Sequence, residues 1–177
     1  MVDKKKVNNK LIQIMHGDIT LLEVDAFVYN IENNLALGSG TGNAISLRGG
    51  PSVQKELDEI AANKGTIPTG QAIISGSGLL PSKYIIHTIG PKFNEEDEDN
   101  KLKEATLAAL KLAEEKGLKK IAFPPISVGF YAFPAEKCAK IMLDTIEAYL
   151  NGNTKIEEII FCIFDSKHYG IFKDALQ

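Results

Sequence analysis

Long apolar runs, a basic excess and a cysteine framework are all missing from this chain, and each absence narrows what it can be. No stretch approaches the ~20 consecutive apolar residues that a membrane-spanning helix needs. The lysines near the start, Lys4, Lys5, Lys6 and Lys10, are not followed by an apolar segment of signal-peptide length. The two cysteines, Cys138 and Cys162, lie far apart, one in a helical pattern and one in a strand pattern. They match neither a metal-binding spacing nor a disulfide framework, and they read as reduced core thiols. With 20 Lys and Arg against 23 Asp and Glu, the formal net charge is −3. No large positive field is implied, which argues against duplex nucleic acid as a partner. A cytoplasmic protein without membrane attachment is expected.

What is present is the balance of a soluble globular protein, 44% hydrophobic and 24% charged residues. A length of 177 residues suits one well-buried core and is short for two. Residues 1–10 are expected to form an N-terminal tail, and residues 11–177 a single domain.

Strand and helix periodicities alternate along that domain. Residues 11–16 and 24–29 have strand character, and a polar, glycine-rich stretch follows at 33–42. A short helical segment at 44–47 ends at Gly49-Gly50. Pro51 then suits a first helical position, and Val53, Leu57, Ile60 and Ala61 recur at helical spacing. Residues 72–75 and 84–89 are strand-like around a turn region. The acidic run 94–99 lacks the ligand spacing and turn glycine of an EF-hand, so it reads as a solvated loop, and no metal site is expected. A helix over 101–116 stops at Gly117. Residues 120–123 form a strand, Pro134 opens another helix, 156–164 form an apolar strand, and a short helix ends the chain. The alternation predicts an α/β fold, a three-layer α/β/α sandwich with a mixed, mostly parallel central sheet. Ligands in such folds sit outside the carboxyl ends of the strands. The loops at 17–20, 29–42, 125–134 and 164–167 are therefore where function is expected.

Two of these loops invite chemistry. The segment Gly38-Ser39-Gly40-Thr41-Gly42-Asn43 runs from a strand into a helix, where glycines allow close approach and helix-start amides favour an anion. Asn43 stands where a dinucleotide fingerprint needs glycine, and the Gly-Lys-Ser/Thr of a P-loop is absent. A flexible turn and an anion cradle both remain open on this segment alone. The second loop, residues 125–134, places Ser127 two residues after Pro125, where an esterase elbow needs glycine. None of His16, His87 and His168 is marked by a local motif as a partner for that serine. A second amide cradle capped by an aromatic side chain fits the loop better.

Several collinear motifs together resemble the macro-domain family. They are His16-Gly17-Asp18-Ile19-Thr20 with Val24-Asp25-Ala26-Phe27-Val28, then Gly50-Pro51 and Gly70-Gln71-Ala72. The stretch from Leu80 to Pro91, Ile121-Ala122-Phe123-Pro124 and Ser127-Val128-Gly129-Phe130-Tyr131 follow in order. The resemblance runs from about Leu11 to the C-terminus. It implies an ADP-ribose-type ligand, free or carried on an ADP-ribosylated protein, with no cofactor and no metal. Asp18 is implied as acceptor for the adenine amino group, the Ile19 amide as reader of the ring and Phe164 as its stacking face. Gly38, Ser39, Gly40 and Thr41 are implied to line the diphosphate from one side, with Ser127, Val128, Gly129 and Phe130 on the other. Tyr131 is implied to pack on the distal ribose.

The family pattern breaks at one end. Many macro domains carry Asn-Ala-Ala-Asn where this chain has Tyr29-Asn30-Ile31-Glu32, and the hydrolase branch usually carries Asp at the position of Gly42. Glu32 is the one candidate catalytic residue. It is open to three readings: acceptor for ribose hydroxyls, general base, or a charge that weakens binding near the diphosphate. Binding without efficient de-ADP-ribosylation is the expected function. The alternative is hydrolysis of ADP-ribosylated protein, O-acetyl-ADP-ribose or ADP-ribose 1″-phosphate (Appr-1-p processing).

Overall fold

Alternation of side chains along each strand sorts the apolar residues onto two faces. In β3 (Ala26–Asn30), Ala26 and Val28 enter one core and Phe27 the other. In β7 (Glu158–Ile163), Ile159, Phe161 and Ile163 oppose Ile160 and Cys162 in the same way. Strands buried on both faces have near-continuous apolar runs, and these belong to a mostly parallel sheet. The computed structural model, which describes residues 2–177, has seven strands. The others are β1 (Val2–Val7), β2 (Lys10–His16), β4 (Ala72–Gly76), β5 (Tyr84–Thr88) and β6 (Lys120–Phe123). Their order is β1-β2-β7-β6-β3-β5-β4. The inner strands from β2 to β5 run parallel, and the two edges, β1 and β4, pair antiparallel.

Helices cover both faces. On one lie α1 (Thr41–Gly49) and α2 (Ser52–Lys64), which bury Ile45, Val53 and Leu57 against Phe27, Ile73 and Ile85. On the other lie α3 (Glu98–Glu115), α4 (Ala135–Leu150) and α5 (Ser166–Ala175). The stripe Cys138, Met142, Ile146 and Leu150 of α4 recurs every fourth residue and is wholly buried. Each such side chain contributes about 1.5–3 kcal/mol by leaving water. The three-layer α/β/α sandwich expected from the alternation is the architecture observed. Among the described residues no helix is long and apolar enough to cross a membrane.

Residues 1–10, expected as a tail, are a different matter. Residues 2–7 form edge strand β1, in register with β2 from Val2↔Met15 to Val7↔Lys10. The turn between them is Asn8-Asn9, both at positive φ (51° and 64°), the geometry that a two-residue hairpin requires. The lysines that looked like a tail are edge-strand charges, which discourage pairing with another chain. Lys5 is tied down by Glu147 of α4 at 2.8 Å.

One polar contact inside the sheet is sensitive to pH. His87 of β5 is fully buried, its Nε2 lies 2.8 Å from Ser75 Oγ of β4, and its Nδ1 has no partner. Burial disfavours the imidazolium and lowers the pKa from 6.5 to about 3. Between those values the unfolded chain takes up a proton that the folded chain refuses, so acid destabilises the fold. Hydrogen-bonded carboxylates such as Asp25 act in a lower window. Burial opposes its charge, but the amides of Lys119 and Lys120 outweigh that and hold the carboxyl below 3.8. Unfolding by urea is therefore expected to need about 2 kcal/mol less at pH ~5 than at pH ~7. The His87→Gln variant should lack this segment of the slope. The His87 imidazole NMR signal should stay neutral throughout that range.

Candidate functional site

The sheet order brings together strands that are far apart in sequence. The carboxyl ends of β2, β7, β6 and β3 lie side by side. The chain leaves them through Gly17-Asp18, Phe164-Asp165, Pro124-Pro125 and the 31–40 loop. These four exits wall a cleft with two halves, cavities of about 570 and 640 Å³. The halves share Ile19, Gly40, Thr41, Pro124, Pro125 and Val128, so they are continuous through the middle.

In the half beside β2 and β7, Asp18 caps a short 3-10 turn, Ile19–Leu21. Its Oδ1 accepts from the Thr20 amide (3.0 Å) and hydroxyl (2.7 Å), and its Oδ2 from Arg48 Nη1 of α1 at 2.5 Å. Partial burial works against the ionised form, yet these hydrogen bonds from Thr20 and Arg48 outweigh it and hold Asp18 below the usual carboxylate range. A carboxylate offers about four acceptor sites, so one stays free for a ligand. Phe164 stands just beyond β7 with 80% of its surface exposed. Its carbonyl accepts from His16 Nε2 at 2.8 Å in the tautomer that carries the proton there. Cys162 lines the floor, and burial raises its thiol to about 12, so it stays protonated and inert.

In the middle, Gly38 and Gly40 take φ of 72° and 61°, and Gly40 precedes α1 with no side-chain cap on the helix start. Glycine is needed here because the chain turns through left-handed geometry while meeting the cleft. The opposite wall is the Pro124–Phe133 loop. It is anchored by the Phe133 amide to the Ser127 carbonyl at 3.0 Å, and its Gly129 takes φ 94°.

The remaining half holds Tyr29, Asn30, Glu32, Phe130 and Tyr131. The Tyr29 hydroxyl donates to the Leu37 carbonyl, closing the 31–40 loop on β3. Asn30 Oδ1 accepts from the Gly90 amide at 2.9 Å. Burial raises the phenol of Tyr29 to about 12, with the Glu32 carboxylate adding to the effect. Burial, then Glu32, pushes the Tyr131 phenol above its ordinary value as well. Both hydroxyls are therefore protonated donors at neutral pH.

Of the residues expected at a site, Asp18, Ile19, Glu32, Gly38, Ser39, Gly40, Thr41, Val128, Gly129, Phe130, Tyr131 and Phe164 all line the cleft. Ser127 does not. Its φ of 66° turns the side chain inward, where it is 1% exposed. The Oγ lies where a Cβ on Gly90 would meet it at 2.3 Å. That geometry leaves the Ser127 hydroxyl no approach to a ligand as a nucleophile, while the amide cradle expected of this loop concerns its backbone. Arg48 and Pro124 also line the cleft and lie outside the loops where function is expected. Arg48 follows Thr41 by seven residues on α1, two turns along the same face, and that spacing was the available signal.

The macro domain family profile matches residues 28–142. The chain belongs to the macro-domain family. A macro domain-containing protein of Caldanaerobacter subterraneus subsp. tengcongensis is 41% identical over 168 residues, 94% of this chain and 95% of the relative. O-acetyl-ADP-ribose deacetylase 1 of Pantoea vagans is 37% identical, covering 94% and 99%. The Oceanobacillus iheyensis macrodomain solved with ADP superposes with a TM-score of 0.95 at 32% identity, covering 99% and 95%. A mutant of it solved with ADPR has the same score and identity, covering 99% and 97%.

Within this macro domain, the Gly42 position has a local explanation. A Cβ there would lie 1.7 Å from the Leu37 carbonyl oxygen and 2.5 Å from the Tyr29 hydroxyl. No side chain fits, so a carboxylate at 42 is incompatible with Tyr29 and the Leu37 turn. Gly42→Ala should lower the unfolding free energy by about 1–3 kcal/mol through overpacking. Tyr29→Phe should cost about 1 kcal/mol by leaving the Leu37 carbonyl without its donor. Equilibrium urea denaturation measures both, and a neutral Gly42→Ala contradicts the packing described.

Proposed function

We infer that the cleft binds ADP-ribose or a close derivative, free or attached to protein. One observation carries this reading: two backbone-rich loops face each other across the middle of the cleft, between an adenine-suited end and a ribose-suited end. Glycine-loop amides at a helix start accommodate a diphosphate without lysine, which suits a chain with net charge −3. At one end, the free acceptor site of Asp18 takes the adenine amino group and Phe164 stacks on the ring, a contact worth ~1–3 kcal/mol. At the other, Tyr131 packs on the distal ribose and Glu32 accepts from its hydroxyls. Two solved relatives carry ADP and ADPR, which supports the same ligand class here. The half around Glu32 opens past Phe130, which is 91% exposed, leaving a path for a protein-linked ADP-ribose. A cytoplasmic setting agrees with two buried free thiols.

A second reading, hydrolysis of an ADP-ribose derivative, is favoured by relatives named O-acetyl-ADP-ribose deacetylase and by a carboxylate at Glu32. Two features weigh against it: Glu32 replaces the usual asparagine, and Gly42 has no space for the usual aspartate. Binding without efficient turnover is the better account.

Titration calorimetry with ADP-ribose is expected to give micromolar binding. Asp18→Ala should weaken it about tenfold to a hundredfold, since a hydrogen bond to a charged group is worth ~1.5–3 kcal/mol. Absence of heat and of any thermal shift at millimolar ligand rejects the reading. Incubation with ADP-ribosylated protein or O-acetyl-ADP-ribose should release product no faster than the uncatalysed reaction. Turnover abolished by Glu32→Gln establishes the hydrolase instead, and turnover that survives Glu32→Gln removes Glu32 from its mechanism.

A further inference from the structure

The two halves of the cleft differ in their cations. Beside β2 and β7, Arg48 stands on Asp18, and Asp165 and His168 share the same wall, so carboxylates there have a cation beside them. In the other half, Glu32 is the sole charged side chain among the described lining residues. Its neighbours are neutral. Tyr29 donates to the Leu37 carbonyl, and Asn30 accepts from the Gly90 amide. The Tyr131 hydroxyl stays protonated beside the carboxylate. Lys92 stands over the Tyr131 ring with its ammonium 5.3 Å from the centroid, and it is not part of the cavity wall. No Lys or Arg lines this half, and the loop amides of residues 38–41 on its wall are those assigned to the diphosphate, so the distal end has no cation to offset Glu32.

From this distribution we propose that Glu32 is a specificity-determining residue that selects ligands by the charge at their distal end. A distal ribose ending in a hydroxyl, or in a neutral or cationic group, is accepted; one ending in a phosphate monoester is excluded. The proposal rests on the cleft being an ADP-ribose-type site. Its physical basis is asymmetric. A ribose hydroxyl donates to the carboxylate in a charge-assisted hydrogen bond, the stronger kind. A terminal phosphate brings nearly two negative charges and no donor to the same oxygens. Repulsion between like charges at such range survives in a partly enclosed cavity and weakens with salt. The exposed ring of Phe130 at this end favours a cationic group over an anionic one. Of the ADP-ribose derivatives considered for this chain, the 1″-phosphate is the one that the charge rejects.

The test is calorimetric titration of ADP-ribose and ADP-ribose 1″-phosphate into the full chain and into its Glu32→Gln and Glu32→Asn variants, at neutral pH and two salt concentrations. Wild-type protein is expected to bind the phosphate monoester about tenfold or more weakly than ADP-ribose, with the gap narrowing at high salt. Both variants should bring the two affinities to within about threefold, because the carboxylate charge is gone. Equal or tighter binding of the phosphate by wild type overturns the proposal, and so does a ratio that the variants leave unchanged. The wild-type ratio and its salt dependence decide the matter even where a variant fails to fold. Binding of neither ligand overturns the ADP-ribose reading itself, whereas ADP-ribose binding with no discrimination overturns only the role of Glu32.

Discussion

The closure of the 31–40 loop by the Tyr29 hydroxyl on the Leu37 carbonyl is the contact on which the rest of the cleft depends. It fixes where the chain turns back toward α1 and so where Gly38, Ser39 and Gly40 meet the ligand space. Leu35 and Leu37 beneath it are buried, at 0% and 2% exposure, so the loop is packed from inside as well as tied from outside. Gln54 of α2 adds a second tie, accepting from the Leu37 amide at 3.0 Å and donating to the Leu35 carbonyl at 3.0 Å. A loop fastened at this many points loses little further entropy when a ligand arrives, which favours affinity. The same clasp fills the space beside Gly42 and thereby leaves no room there for a carboxylate. Loop rigidity and the missing carboxylate have one cause.

Much of this was legible in the sequence because the governing signals are local. Alternation and apolar continuity marked the inner strands, and the α4 stripe marked itself by its spacing. The loops at strand ends could be singled out before any fold was known, since parallel sheets gather such loops at one edge. Asp18, Phe164 and the Gly38–Thr41 run all reach the cleft for that reason. The unforeseen features are tertiary. Three lysines in six residues hid the strand β1 because charge is read more easily than pairing, and only the Asn8-Asn9 turn betrays it. Ser127 faces inward through a positive φ that no composition rule anticipates. Arg48 reaches Asp18 because α1 and the 3-10 turn happen to abut, a contact between elements rather than within one.

The two ends of the cleft divide the work differently. The Asp18 end is preorganised: carboxylate, hydroxyl, amide and guanidinium lock one another before any ligand binds. Such a site recognises one hydrogen-bonding edge and tolerates little substitution. The Glu32 end is built from aromatic rings and one carboxylate with no cation among the described lining residues, and Phe130 on its wall is exposed. That contrast fits a ligand whose adenosine part is constant and whose other end varies.

Strand β1 has a consequence for handling the molecule. Its backbone satisfies one whole side of β2, whose Ile12 and Ile14 are fully buried. A chain trimmed to the motif-bearing region from residue 11 onward keeps every residue that lines the cleft. It also leaves a naked row of amides and carbonyls along β2, flanked by apolar side chains. That bare margin is a template for strands of other molecules, so trimming a segment that looks dispensable trades a hairpin for self-association.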